Sequence, residues 1–134
     1  MPDKSRPGGA QTILVADDDP QILSLISRQL GRLGYRVIEA ADGAEALASV
    51  RAHKPDLILL DVLMPHLSGW EVARAVRGDP ELKDTLIVVL TAIGHTVSEA
   101  TSPLFADAHL DKPFEFADLE RTIAAALAAR AKDR

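Results

Sequence analysis

Short, continuous apolar runs alternate along the chain with longer stretches in which apolar residues recur at helical spacing. The runs fall at 12–16 (TILVA), 35–40 (YRVIEA), 56–60 (DLILL), 85–90 (TLIVVL) and 107–110 (DAHL). Runs of this kind suit strands buried on both faces, and repeated strand–helix units imply a parallel sheet covered by helices. The expected fold class is therefore α/β.

The helical segments carry their own start and stop signals. Asp19-Pro20 reads as an N-cap with proline at the first helical position. Ile22, Ile26, Leu30 and Leu33 then share a face, and Gly34 ends the helix. Asp42 caps a second helix reaching about Ala52, whose thin apolar face of Ala44, Leu47 and Ala48 predicts close packing through alanines. Ser68 caps a third, bearing Trp70, Ala73 and Val76 and broken by Gly78-Asp79-Pro80. Over 115–131, Phe116, Leu119, Ile123 and Leu127 form one stripe. Alternation calls for a further helix within 94–106, but β-branched residues, serines and Pro103 weaken it, and a short, bent or mobile helix is expected.

Composition narrows the function classes. At 134 residues, 47% of them apolar, the chain suits one core: a domain over 11–131, with a flexible tail at 1–10 and a short one at 132–134. With no cysteine, disulfides, zinc–thiolate sites and thiol nucleophiles are excluded, which fits a cytoplasmic protein. Residues 1–10 lack the apolar core of a signal peptide, and no run is long enough to insert into a membrane. A net charge of −5 with dispersed Lys and Arg argues against direct nucleic-acid binding.

Candidate chemistry gathers where the apolar runs stop. Asp17-Asp18, Asp61, Thr91 and Lys112 each follow a run, and in an open parallel sheet such ends share one edge, where ligands bind. Asp17 and Asp18 facing Asp61 would repel strongly unless a cation lay among them. Oxygen donors with room for water suit Mg²⁺ or Mn²⁺. A carboxylate beside a divalent cation, a lysine and a threonine hydroxyl is arranged as a phosphoryl acceptor. Lys112 would supply a compact positive charge, and Thr91 a hydrogen bond to a phosphoryl oxygen. Other polar positions read as structural: Asp19 as a cap, Met64 and Pro65 as loop shaping, Trp70 as packing, and His53, His66 and His95 as surface residues without metal-ligand spacing.

In chain order, ILVADDDP, DVLMPHLSG, VVLTA and DKPF resemble the receiver domain of two-component response regulators, similar to the stand-alone chemotaxis type, over 12–131. The resemblance implies a flavodoxin-like, doubly wound (βα)5 three-layer sandwich with parallel strand order 2-1-3-4-5. It implies a phosphoprotein of phosphorelay signalling in which a sensor histidine kinase or histidine phosphotransfer protein donates to Asp61. Asp18 and Asp61 would bind Mg²⁺ directly with the Leu63 backbone carbonyl, and Asp17 mainly through water. A cis bond between Lys112 and Pro113 is implied, as only X-Pro bonds adopt cis cheaply. Such a protein is no turnover enzyme, although it assists its own phosphorylation and dephosphorylation. Its output would be a conformational change altering contact with a downstream protein target. A receiver-like module that is never phosphorylated, or a receiver piece of a larger regulator or hybrid kinase, are the alternative readings.

Departures from the family pattern concern the switch. With Thr91, His109 occupies the switch position where tyrosine or phenylalanine is common, and brings a titration near neutral pH. Phe105 stands where a glycine usually ends the fourth helix. Leu63 and Ile93, two residues beyond Asp61 and Thr91, cannot hydrogen-bond an attacking water through their side chains, so slow self-hydrolysis of the acyl phosphate is expected. A haloacid-dehalogenase-like phosphatase would need DxDxT on the first strand, whereas Pro20, Gln21 and Ile22 follow Asp19. A flavodoxin-type cofactor binder would need a phosphate cradle where DDDP would repel phosphate.

Overall fold

Five strands pair in parallel in one sheet: β1 (Thr12–Ala16), β2 (Arg36–Ala40), β3 (Leu57–Asp61), β4 (Leu86–Thr91) and β5 (Ala108–Asp111). Their order is β2-β1-β3-β4-β5, the order the resemblance implies. Between and after them lie α1 (Pro20–Arg32), α2 (Gly43–His53), α3 (Gly69–Gly78) and α4 (Phe116–Lys132). The computed structural model describes residues 11–62, 64, 68–91, 106–112 and 114–132, with Thr91 and residues 131–132 by backbone only. The expectations for 1–10, the helix within 94–105, Leu63, His66, Ile93, His95, Phe105 and the Lys112–Pro113 bond fall outside these residues.

Alternation along the strands builds a core on each side of the sheet. Leu14, Ile58, Leu60, Ile87 and Val89 face Ala46 and Val50 of α2 and Val72, Ala73 and Val76 of α3. Ile13, Val15, Leu57, Leu59 and Val88 face Leu23, Ile26 and Leu30 of α1 and Leu119, Ile123 and Leu127 of α4. Each large side chain taken out of water in this way contributes about 1.5–3 kcal/mol, so both faces of the central strands are held.

The caps match the sequence signals. Asp19 accepts hydrogen bonds from the N–H groups of Gln21 (2.9 Å) and Ile22 (3.4 Å), and Pro20 opens α1. Gly34, at φ 98°, takes the left-handed conformation that releases the chain into β2. Asp42 accepts from Glu45 N–H while Glu45 accepts from Ala41 N–H. Ser68 and Glu71 form a reciprocal capping box on α3.

Three expectations are corrected. On α1 the buried stripe is Leu23, Ile26 and Leu30, with Ile22 partly buried, while Leu33 is 44% exposed because the helix has already ended at Arg32. On α2, Ala44 and Ala48 are exposed, and Ala46 and Val50 are buried instead. Alanines on every side of that helix leave its spacing ambiguous, and contact with β1, β2 and α3 selects the face. The strands beginning near 35, 56, 85 and 107 each start one residue later than the apolar runs, and β3, β4 and β5 end on Asp61, Thr91 and Asp111.

Two of the displaced first residues have another task. Asp56 Oδ2 accepts the Thr12 N–H at 2.8 Å, and its Oδ1 and backbone carbonyl accept from the Arg130 guanidinium of α4 at 3.1 and 3.0 Å. Asp107 Oδ2 accepts the Ile87 N–H at 2.8 Å and Arg77 of α3 at 2.7 Å. Arg77 also donates to the carbonyls of Lys83 and Thr85. Each helical layer is thus tied by an arginine to an aspartate at the N-terminal edge of the sheet.

Two measurements probe this packing. Arg130→Ala leaves the nearly buried Asp56 carboxylate without its guanidinium and is expected to lower unfolding free energy by about 1–3 kcal/mol in urea; no change would make the tie irrelevant to stability. Burial, with a smaller repulsion from Glu120, raises the pKa of the Tyr35 phenol above the ordinary 10.0. The unfolded chain therefore loses that proton first, and the associated stability is full below pH 10.0 and falls as pH rises beyond it. Absorbance titration of the chain's single tyrosine should show a midpoint above 10.0, moving part of the way back in Glu120→Gln.

Candidate functional site

β1 and β3 are neighbours, and the chain leaves them in opposite directions, to β2 on one side and β4 on the other. A crevice forms at such a switch point, beyond the C-terminal ends of the strands. Asp17 and Asp18 follow β1 directly, and Asp61 is the last residue of β3. Asp17, Asp18 and Asp61 each offer a carboxylate oxygen, and these oxygens lie within 4.8 Å of one another. Asp17 and Asp61 are buried and Asp18 is exposed, so the cluster has a closed floor and an open side.

Lys112 completes the cluster from two strands away. It follows β5, which at roughly 4.8 Å per strand lies about 10 Å from β3, a gap that a long aliphatic stem can cross. Its Nζ lies 3.1 Å from Asp17 Oδ2 and 3.6 Å from Asp61 Oδ2. Asp17 Oδ1 accepts the Asp19 N–H at 2.9 Å, so both Asp17 oxygens have protein donors. Three carboxylates against one ammonium leave a negative excess that a single divalent cation would neutralise. All-oxygen donors, one of them open to water, fit Mg²⁺ or Mn²⁺.

Thr91 closes β4 between these groups, with its backbone in register with Asp111. Asp61 is in register with Leu90, and the Val62 N–H donates to the Leu90 carbonyl at 3.1 Å, tying the start of the loop after β3 to the end of β4. Met64, read as loop shaping, is buried in the core beside α3. His109 is not brought into the cluster: it sits mid-strand on β5, opposite Val89, and is exposed. With Arg77, Asp107, Ala126 and Arg130 it borders a cavity of about 860 Å³ that includes the first residues of β4 and β5, away from the carboxylates. His53 is exposed, and Trp70 packs partly buried against the core.

Sequence reasoning placed the cluster but read Gly69 only as part of the loop and the DVLMPHLSG motif; it is the first residue of α3 and packs directly on the backbone of Asp61.

The response regulator receiver domain model matches residues 13–124. The chain is 44% identical over 109 residues to the response regulator MprA of Mycobacterium tuberculosis, covering 80% of this chain and 46% of that protein. It spans about half the length of the curated relatives it matches. Among solved structures, the chemotaxis response regulator CheY4 of Vibrio cholerae superposes with a TM-score of 0.80 at 33% identity, covering 87% of this chain and 98% of that one. The receiver domain of a sensor histidine kinase from Pseudomonas aeruginosa, with a magnesium ion coordinated in its active-site cleft, gives 0.81 at 32% identity, covering 89% and 98%. A family match over most of the chain, joined to a parallel five-stranded sheet with its acidic cluster at the switch point, shows that this chain belongs to the response regulator receiver domain family of two-component signalling.

Proposed function

We propose that Asp61 accepts a phosphoryl group from a sensor histidine kinase or histidine phosphotransfer protein, with a divalent cation held by Asp18 and Asp61 directly and by Asp17 mainly through water. The observation that carries this reading is the convergence of three carboxylates and the Lys112 ammonium at one strand edge. Asp61 suits the nucleophile's part. It ends a central strand whose ladder fixes its backbone, and its carboxylate is buried within reach of the Lys112 ammonium, whereas Asp18 stands exposed.

In the transfer, an Asp61 carboxylate oxygen attacks phosphorus and the bond from phosphorus to the donor's imidazole nitrogen breaks, its electron pair staying on that nitrogen. The cation supplies charge neutralisation at the equatorial oxygens. Lys112, already within reach of Asp61, pairs with one of those oxygens, and Thr91 hydrogen-bonds another. The product carries about −1.5 to −2 added charge and new acceptor oxygens, which draws Lys112 from Asp17 and Thr91 toward the phosphoryl group. On this reading His109, exposed on β5 and outside the cluster, responds to that movement at the β5 edge. A changed contact with a downstream protein is the output. Resemblance to proteins named as response regulators, one of them a chemotaxis protein, supports a signalling role over substrate turnover.

Incubation with acetyl phosphate and Mg²⁺, followed by intact mass measurement, should give a single phosphoryl adduct that vanishes in Asp61→Asn and with excess chelator. An adduct that survives in Asp61→Asn would place the acceptor elsewhere, and one that survives the chelator would remove the cation from the reaction. Lys112→Ala should slow labelling by about 10²-fold, the scale of losing one preorganised charge, and an unchanged rate would remove Lys112 from the reaction.

A further inference from the structure

Gly69 is glycine for lack of space, not for backbone freedom. Among the described glycines only Gly34 has a positive φ. A methyl group built on Gly69 would lie 2.4 Å from the Asp61 carbonyl oxygen, 3.0 Å from Val62 Cα and 3.1 Å from the Asp61 carbonyl carbon. At Gly31, Gly34 and Gly78 the same methyl would meet nothing within 4 Å. The obstructing atoms at Gly69 are backbone, so no side chain can swing aside.

The contact also closes a neck. Gly69 N–H donates to the Val62 carbonyl at 3.0 Å, joining the two ends of the loop that leaves Asp61. Val62 N–H is in turn bonded to the end of β4, and the Ser68–Glu71 capping box holds the first turn of α3 against this point. The peptide that carries Asp61 is therefore pressed between the sheet and a helix terminus.

We infer that Gly69 is a positioning residue for the acceptor: by bringing the first turn of α3 into contact with the Asp61 backbone, it sets where the Asp61 carboxylate stands relative to Asp17, Asp18 and Lys112. The inference rests on the reading of Asp61 as phosphoacceptor, and it adds a residue that touches neither metal nor phosphoryl group. An added methyl must move either α3 or the Asp61 peptide, and a displacement near 1 Å from reacting geometry costs about 10²-fold in rate.

The test uses the full chain as wild type, Gly69→Ala and Gly78→Ala, the last adding the same methyl to the same helix in open space. Thermal unfolding establishes folding, calorimetry gives Mg²⁺ affinity, and acetyl phosphate labelling is timed at saturating Mg²⁺. Folded Gly69→Ala is expected to label about 10- to 100-fold more slowly, with Gly78→Ala close to wild type. Equal labelling by folded Gly69→Ala overturns the inference. Should wild type take no label, the acceptor reading fails separately, and Mg²⁺ affinity decides for Gly69: about tenfold weakening supports it and equal affinity overturns it. If the methyl prevents folding, Ser68→Ala loosens the same helix start without added bulk. Slower labelling at saturating Mg²⁺, or weaker Mg²⁺ binding where wild type takes no label, then supports the inference, and an unchanged value overturns it.

Discussion

A parallel ladder obliges all of its strands to finish on the same edge, and everything chemical in this protein follows from that constraint. Residues as distant in sequence as Asp17 and Lys112 become neighbours because each stands where its strand stops. Crossovers that leave β1 and β3 in opposite directions open the crevice in which Asp17, Asp18 and Asp61 meet. Repulsion among these groups is tolerated because the Lys112 ammonium lies within 3.6 Å of the two buried ones. The arrangement stays rich in negative charge, an excess that a divalent cation would offset.

The opposite edge of the sheet is built on another logic. Asp56 and Asp107 each accept a backbone N–H from a neighbouring strand and pair with an arginine from a covering helix, Arg130 in one layer and Arg77 in the other. Each carboxylate there has one guanidinium and is satisfied within the fold. At the C-terminal edge the Lys112 ammonium is shared by the two buried carboxylates, Asp17 and Asp61, with the exposed Asp18 beside them. Acidic residues at both edges look alike in the sequence, and the partners they meet set the two edges apart.

Membership of the receiver family gives these local arguments a common setting. Kinship in the fold extends to a receiver structure with magnesium in its cleft, in keeping with the oxygen donors found here. His109 is exposed on the edge strand and, with Arg77 and Arg130, borders a cavity away from the acidic cluster.

Periodicity and punctuation in the sequence determined the types and order of the described elements and, to within a residue, the strand ends at Asp17, Asp18, Asp61, Thr91 and Lys112. Those signals are local: an apolar run of strand length, an Asp or Ser cap, a Gly or Pro stop. The recurrence of polar residues at strand ends made the candidate site legible, because parallel topology converts that recurrence into proximity. Tertiary structure alone decided the rest. It chose Ala46 and Val50 as the buried face of α2, since alanines all round give no preference until neighbouring elements are in place. It assigned Asp56 and Asp107 to their arginines, pairs separated by 74 and 30 residues that no local pattern links. It also brought Gly69 so close to the backbone of Asp61 that a Cβ would collide there, because steric exclusion between two chain segments exists only once both are folded against each other.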